Sequence, residues 1–307
     1  MKLKFFTLLL LSAICFVSCR KYDSLPDIKQ YDQQQIESYI AANGLTDMVR
    51  DTAGGDTTGT YYKILSPGTG TQIDYSSSVS YVYTIRTFDG KYSVNDTVLN
   101  HSYGVLGHVV PNGLMLAIRN DLKRLGGKMR VLVPSHLAYG KNGAGSGSIT
   151  LTNGRIGGNQ CLDITVHLIA NQGDYDQLVI KNYMAANNLT GYTMTADSLW
   201  YKITTSGTGT YINDNSSITM NYNLYLMNNT NPDNNFYAST TTFLVSDLRT
   251  QTVPGYAEGL RLLGNAGGKI SIIVPSALAY GTSGSSGTIP ANACLRWDIF
   301  NVTVTNP

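Results

Sequence analysis

The chain has 307 residues, 42% of them apolar, enough to bury two ordinary hydrophobic cores. Only 14% of residues are charged, 22 basic against 20 acidic, and residues 1–18 carry two lysines and no acid, so the remainder is formally neutral. With no basic stripe or block, nucleic acid is excluded as a partner.

In chain order, Lys2 and Lys4 precede an apolar run from Phe5 to Val17, and Phe16-Val17-Ser18-Cys19 follows the layout of a secretory signal whose cleavage site ends in a cysteine. The run is too short to span a bilayer. Residues 19–30 read as a polar tether. Ile36, Tyr39 and Ile40 recur at helical spacing and predict a leading helix. The Gly-, Thr- and Asp-rich segment Asp51 to Thr60 predicts a loop. Val79 to Ile85, rich in β-branched and aromatic residues, predicts a strand. A short helix follows Pro111-Asn112-Gly113, with Leu114, Ile118 and Leu122 as its apolar stripe. Met129 to Val133 predicts another strand. The pattern then restarts: Tyr175, Leu178, Val179 and Tyr183 mark a second leading helix, Ile218 to Leu224 a strand, Tyr256, Leu260 and Leu263 a short helix after Pro254-Gly255, and Ile270 to Val274 a strand.

This second pass is an internal repeat. Val133-Pro134-Ser135-His136-Leu137-Ala138-Tyr139-Gly140 returns as Val274-Pro275-Ser276-Ala277-Leu278-Ala279-Tyr280-Gly281. Tyr31-Asp32-Gln33 returns as Tyr175-Asp176-Gln177, and Gly126-Gly127-Lys128 as Gly267-Gly268-Lys269. From Tyr139 to Ile156 the first copy spans 17 positions where Tyr280 to Ile289 spans 9, an eight-residue insertion in its last long loop. The repeat predicts a unit over residues 31–171 and another over 172–307.

Past the signal only Cys161 and Cys294 remain, one per copy at matching positions in strand-like runs. Neither copy can hold an internal disulfide, and both cysteines read as core. The histidines, His101, His108, His136 and His167, all lie in the first copy without metal-ligand spacing. The Gly-Gly-Lys blocks lack the remaining residues of a phosphate loop and read as turns. No cofactor and no metal is expected.

The opening resembles a bacterial lipoprotein signal, with Cys19 as the lipidated first residue of the mature chain. The blocks Val253-Pro254-Gly255-Tyr256-Ala257-Glu258-Gly259-Leu260, Gly268-Lys269, Val274-Pro275, Ala279-Tyr280-Gly281 and Ile289-Pro290-Ala291-Asn292-Ala293 make the second copy resemble an FKBP-type peptidyl-prolyl isomerase over about residues 199–305. The first copy resembles the same family more weakly, through Val110-Pro111-Asn112-Gly113-Leu114, Gly127-Lys128, Val133-Pro134 and Ala138-Tyr139-Gly140.

The resemblance implies an α+β fold with two FKBP-like domains, each a curved antiparallel sheet of five or six strands wrapped around a short helix and preceded by a helix. It implies an aromatic cleft lined by Tyr222, Phe236, Phe243, Val253, Tyr256, Tyr280, Ile289 and Trp297. Tyr280 would donate its hydroxyl to one substrate carbonyl and the Val253 N–H to another, while Tyr256 and Trp297 hold the prolyl ring. Two departures stand out. Tyr237 takes the place of the usual aspartate after Phe236, and Tyr256 that of the usual floor tryptophan. In the first copy the corresponding positions fall at Val94-Asn95, Leu114 and Ile164; Tyr83 and Tyr139 are kept, and most of the aromatic wall is lost.

The sequence therefore implies a membrane-anchored lipoprotein of the cell envelope whose second copy isomerises X-Pro bonds in proline-containing polypeptides. Its rivals are a non-catalytic chaperone or protein-binding module, and a structural subunit of an outer-membrane complex using the Lys141 to Arg155 insertion as its contact.

Overall fold

The computed structural model describes residues 27–53, 58–228, 253–285 and 289–307, and the short stretches 235–238, 243–245 and 248. The signal-like opening and Cys19 lie outside the described residues. Helix α1 spans Ile28–Ala42, so the last residues assigned to a tether are helical. Strands β1 (Val49–Arg50), β2 (Tyr61–Ser66), β3 (Ser78–Thr87), β4 (Ser93–Val94) and β5 (His101–Val105) follow, then helix α2 (Asn112–Ala117), which continues as a wider turn over Ile118–Leu122. Strands β6 (Lys128–Val133) and β7 (Leu162–Ile169) complete the first pass.

The second pass repeats it: α3 (Gln172–Ala186), β8 (Thr193–Met194), β9 (Trp200–Thr205), β10 (Ser217–Leu226), β11 (Asn235–Ala238), β12 (Phe243–Val245), α4 (Pro254–Leu263), β13 (Lys269–Val274) and β14 (Leu295–Thr305). The first sheet runs β1-β2-β6-β7-β3-β4 with β5 on β3; the second runs β8-β9-β13-β14-β10-β11 with β12 on β10. The two orders coincide element for element, and every pairing is antiparallel. The fold is α+β with antiparallel sheets, as the sequence implies. Each sheet has seven strands among the described residues, more than five or six, because the two-residue edge strands β1 and β8 add themselves beside β2 and β9.

Each sheet carries apolar packing on both faces. On the concave face lies the short helix, whose stripe is sealed: Leu114, Ile118 and Leu122 are buried in the first unit, and Tyr256, Leu260 and Leu263 in the second. Three such side chains together contribute about 5–9 kcal/mol before chain entropy is subtracted. On the opposite face lies the leading helix. Ile36 and Tyr39 pack with Leu132 and Cys161, and Ile180 and Tyr183 pack with Ile273 and Cys294. Both cysteines are therefore core residues, and burial pushes the Cys161 thiol up to about 12.

The stripe of α3 differs from the expected one. Leu178 is exposed, and the buried line is Asp176, Ile180 and Tyr183, matching Asp32, Ile36 and Tyr39 on α1. The i, i+4, i+7 face thus carries an acid toward the sheet, which hydropathy alone ranks against.

Candidate functional site

The second unit gathers most of its expected cleft residues at one end of α4. Helix α4 begins at Pro254, whose fixed φ and missing N–H suit a first helical position. Gly255 lets this helix start press on the sheet: a Cβ there would sit 2.4 Å from Val274 Cγ1 and 3.1 Å from the Leu278 carbonyl. Gly113 does the same against Val133 in the first unit. The helix start and the turn leading to Tyr280 are thereby in direct contact.

Tyr222 stands on β10 opposite Ile299, and Trp297 on β14 opposite Leu224. The Tyr222 and Tyr256 rings meet edge to face at 6.2 Å, and Tyr256 and Trp297 lie tilted at 5.8 Å. Such aromatic pairs contribute about 0.5–1.5 kcal/mol beyond the area they bury. Tyr280 is partly buried against the same core, as is Tyr222, while Val253 and Ile289 are buried. Burial raises the Tyr256 phenol far above its usual value, the neighbouring Tyr222 and Tyr280 raising it further. Its hydroxyl is taken by Met220, donating to Sδ at 2.8 Å.

Tyr256 retains 6% exposure and Trp297 3%, so Trp297 packs beneath the floor while Tyr222 and Tyr280 are the more accessible aromatic groups. Phe236 lies on β11 and Phe243 on β12, opposite Met220. Their side chains lie outside the described residues.

Sequence reasoning missed the residues that hold the Tyr280 turn. Asp176, 1% exposed, accepts from Ser276 N at 2.8 Å, Ser276 Oγ at 2.7 Å and Gln172 Nε2 at 2.7 Å. Desolvation raises its carboxyl above the usual range, and the Ser276 and Gln172 donors oppose that rise. Ser276–Leu278 is the short 3-10 turn that delivers Ala279 and Tyr280. In the first unit one Asp32 oxygen accepts from Ser135 Oγ at 2.7 Å, while the other accepts from His136 N at 3.1 Å and lies 2.7 Å from His136 Nδ1. The signal was present as the repeated Tyr-Asp-Gln block; its partners lie about a hundred residues further on.

The first unit is more aromatic than its sequence suggests. Leu114 and Ile164 form an apolar floor, and Tyr83 and Tyr139 are joined by Tyr81 and Tyr92 around it. The Tyr81 and Tyr83 rings lie 5.9 Å apart. Burial pushes the Tyr83 phenol up to about 12, with Tyr81, Tyr139 and Tyr92 adding to the rise. The insertion folds back on its own unit: Ala144 and Ile156 pair, Asn153 N donates to the Lys91 carbonyl at 2.8 Å, and Ser93 N donates to Asn153 Oδ1 at 2.6 Å.

Residues 209–302 match the family model of the FKBP-type peptidyl-prolyl cis-trans isomerase. Among curated proteins, the isomerase FkpA of Buchnera aphidicola is 34% identical over 130 residues, 42% of this chain and 51% of that protein. Peptidyl-prolyl cis-trans isomerase FKBP9 of Bos taurus is 27% identical over 215 residues, 69% of this chain and 31% of that one. Among solved structures, FkpA from Escherichia coli has 26% identity and a TM-score of 0.37, covering 44% of this chain and 61% of that one. The chain spans about half or less of the length of these curated relatives. Among the described residues, no helix is long and apolar enough to cross a membrane.

Proposed function

We propose that the protein is a peptidyl-prolyl cis-trans isomerase whose chemistry takes place in the second unit, over residues 172–307, on proline-containing segments of exported polypeptides. The observation that carries this reading is the aromatic series Tyr222, Tyr256 and Trp297, in contact edge to face and tilted around the start of α4, with Tyr280 beside it, inside the segment that matches the isomerase family.

Rotation about an X-Pro bond faces a barrier of about 18–20 kcal/mol because twisting breaks amide resonance. The planar amide is more charge-separated than the twisted one, so an apolar site disfavours the ground state relative to the transition state. Tyr222 and Tyr256 supply the apolar surface for the prolyl ring, with Trp297 backing Tyr256. The Tyr280 hydroxyl fixes one flanking carbonyl. The Val253 carbonyl is engaged by the amides of Tyr256 at 3.1 Å and Ala257 at 3.4 Å, and the Val253 N–H is assigned to a second substrate carbonyl. The mechanism needs no nucleophile or general base.

A membrane anchor at Cys19 belongs to the same proposal. Several acyl chains on one residue would hold the body firmly, each buried CH₂ contributing about 0.8 kcal/mol. The low exposure of Tyr256 and Trp297 favours a second reading, a polypeptide-binding module without catalysis. A protease-coupled assay on a short X-Pro peptide separates the two: acceleration that grows with protein concentration supports the isomerase, and binding without acceleration supports the module.

A further inference from the structure

Only Ala170 and Asn171 separate β7 of the first unit from α3 of the second. Asn171 caps α3 by accepting from Asp174 N, so this junction is a structured corner. Beside it, Val98, from the segment between β4 and β5, packs against buried residues of the second unit. The space left there, lined by residues of both units, is small, about 30 Å³.

At this contact Ser80 of β3 reaches three partners. Its hydroxyl donates to Gln172 Oε1 at 2.7 Å, which leaves its lone pairs to accept from Asn292 Nδ2 at 3.1 Å and from His101 Nε2 at 2.9 Å. The bonding capacity of the serine is used in full. Each second-unit partner leads to a cleft element. Gln172 Nε2 donates to Asp176, and the other Asp176 oxygen holds Ser276 at the root of the Tyr280 turn. Asn292 lies in the loop that carries Ile289, and its backbone N–H donates to the Gly281 carbonyl at 2.8 Å, next to Tyr280. Asn292 is 5% exposed and sits at φ +55°, a left-handed conformation that persists where its surroundings fix it.

We propose that the first unit positions the cleft of the second: through Ser80, it fixes both the Tyr280 turn and the Ile289–Ala293 loop. This rests on the reading of that cleft as the isomerase site, yet the coupling has a readout of its own. Ser80, Gln172 and Asn292 act as positioning residues.

The test compares the full chain with Ser80→Ala, Ser80→Thr and Ile164→Val, the last a mild truncation in the first unit's core that leaves the junction intact. Amide hydrogen exchange at Ser276 and Asn292 is measured alongside kcat and KM. Ser80→Ala removes one hydrogen bond from each branch, to Gln172 and to Asn292, which predicts exchange about 5- to 10-fold faster at both amides. KM should rise by a similar factor, Ser80→Thr should restore both values, and Ile164→Val should leave them unchanged. Unaltered exchange in Ser80→Ala, or an equal effect of Ile164→Val, overturns the coupling. A wild-type protein without isomerase activity whose exchange still responds to Ser80→Ala overturns the assigned chemistry and supports the coupling.

Discussion

Replacing Asp176 by alanine removes one acceptor group from three donors. Ser276 N and Ser276 Oγ are buried with it, Ser276 being 1% exposed, whereas Gln172 stands at the junction with the first unit and is partly exposed. A buried donor left unpaired costs about 1–3 kcal/mol, so two of them, with a smaller loss at Gln172, set the destabilisation at about 3–5 kcal/mol. The assay is urea unfolding followed by tryptophan fluorescence. The chain has two tryptophans, Trp200 and Trp297, both in the second unit, so the signal reports that unit. With a slope of about 1–3 kcal/mol per molar urea, the midpoint should fall by about 2 M. Asp32→Ala, which strips the matching anchor from the first unit, should move the tryptophan transition by less than about 0.5 kcal/mol, because its Ser135 and His136 partners lie in the first unit and both tryptophans in the second. A shift below about 1 kcal/mol for Asp176→Ala, or equal shifts for both variants, would refute the assignment of Asp176 as the anchor of the Tyr280 turn.

Tyr280→Phe should lower kcat/KM about 5- to 10-fold, the loss expected for one hydrogen bond, while Tyr139→Phe changes it less than about 2-fold; equal effects would place catalysis elsewhere. The Asp121 carboxyl is pushed up to about 7 by burial first and by the nearby Asp51 carboxylate second. Its folded value exceeds its unfolded one, so it destabilises the first unit progressively as pH rises from about 4 to about 7. Asp121→Asn should therefore stabilise that unit at pH 8 by about 1–2 kcal/mol after solvent screening, with no gain at pH 4, which calorimetry at the two pH values checks. Cys19→Ala should release the protein from membranes on fractionation; continued retention would count against a lipid anchor at that residue.

The internal repeat made the fold legible. Once Val133–Gly140 is aligned with Val274–Gly281, matching strand and helix patterns leave one topology for both halves, and the two sheet orders agree. For the second cleft, the family resemblance pointed to Tyr222, Tyr256 and Trp297, and the structure brings those three rings together. What escaped the sequence was polar and long-range. Asp32 and Asp176 sit on the buried faces of their helices because serines about a hundred residues on satisfy them, a pairing no local pattern encodes. Tyr81 on β3 and Tyr92 just before β4 escaped because the positions matching Phe236, Tyr256 and Trp297 fall at Val94, Leu114 and Ile164, none of them aromatic. Ser80, in an unremarkable alternating strand, acquires its role only when two units meet.

The central claim is that the second cleft turns over X-Pro bonds, and the most direct test is the isomerisation rate of a short X-Pro peptide with residues 19–307, against an uncatalysed reaction of tens to hundreds of seconds. The account predicts acceleration proportional to protein concentration, abolished when Tyr222→Ala and Tyr280→Phe are combined. An uncatalysed rate from protein that tryptophan fluorescence shows to be folded, or full activity in the combined variant, would contradict it.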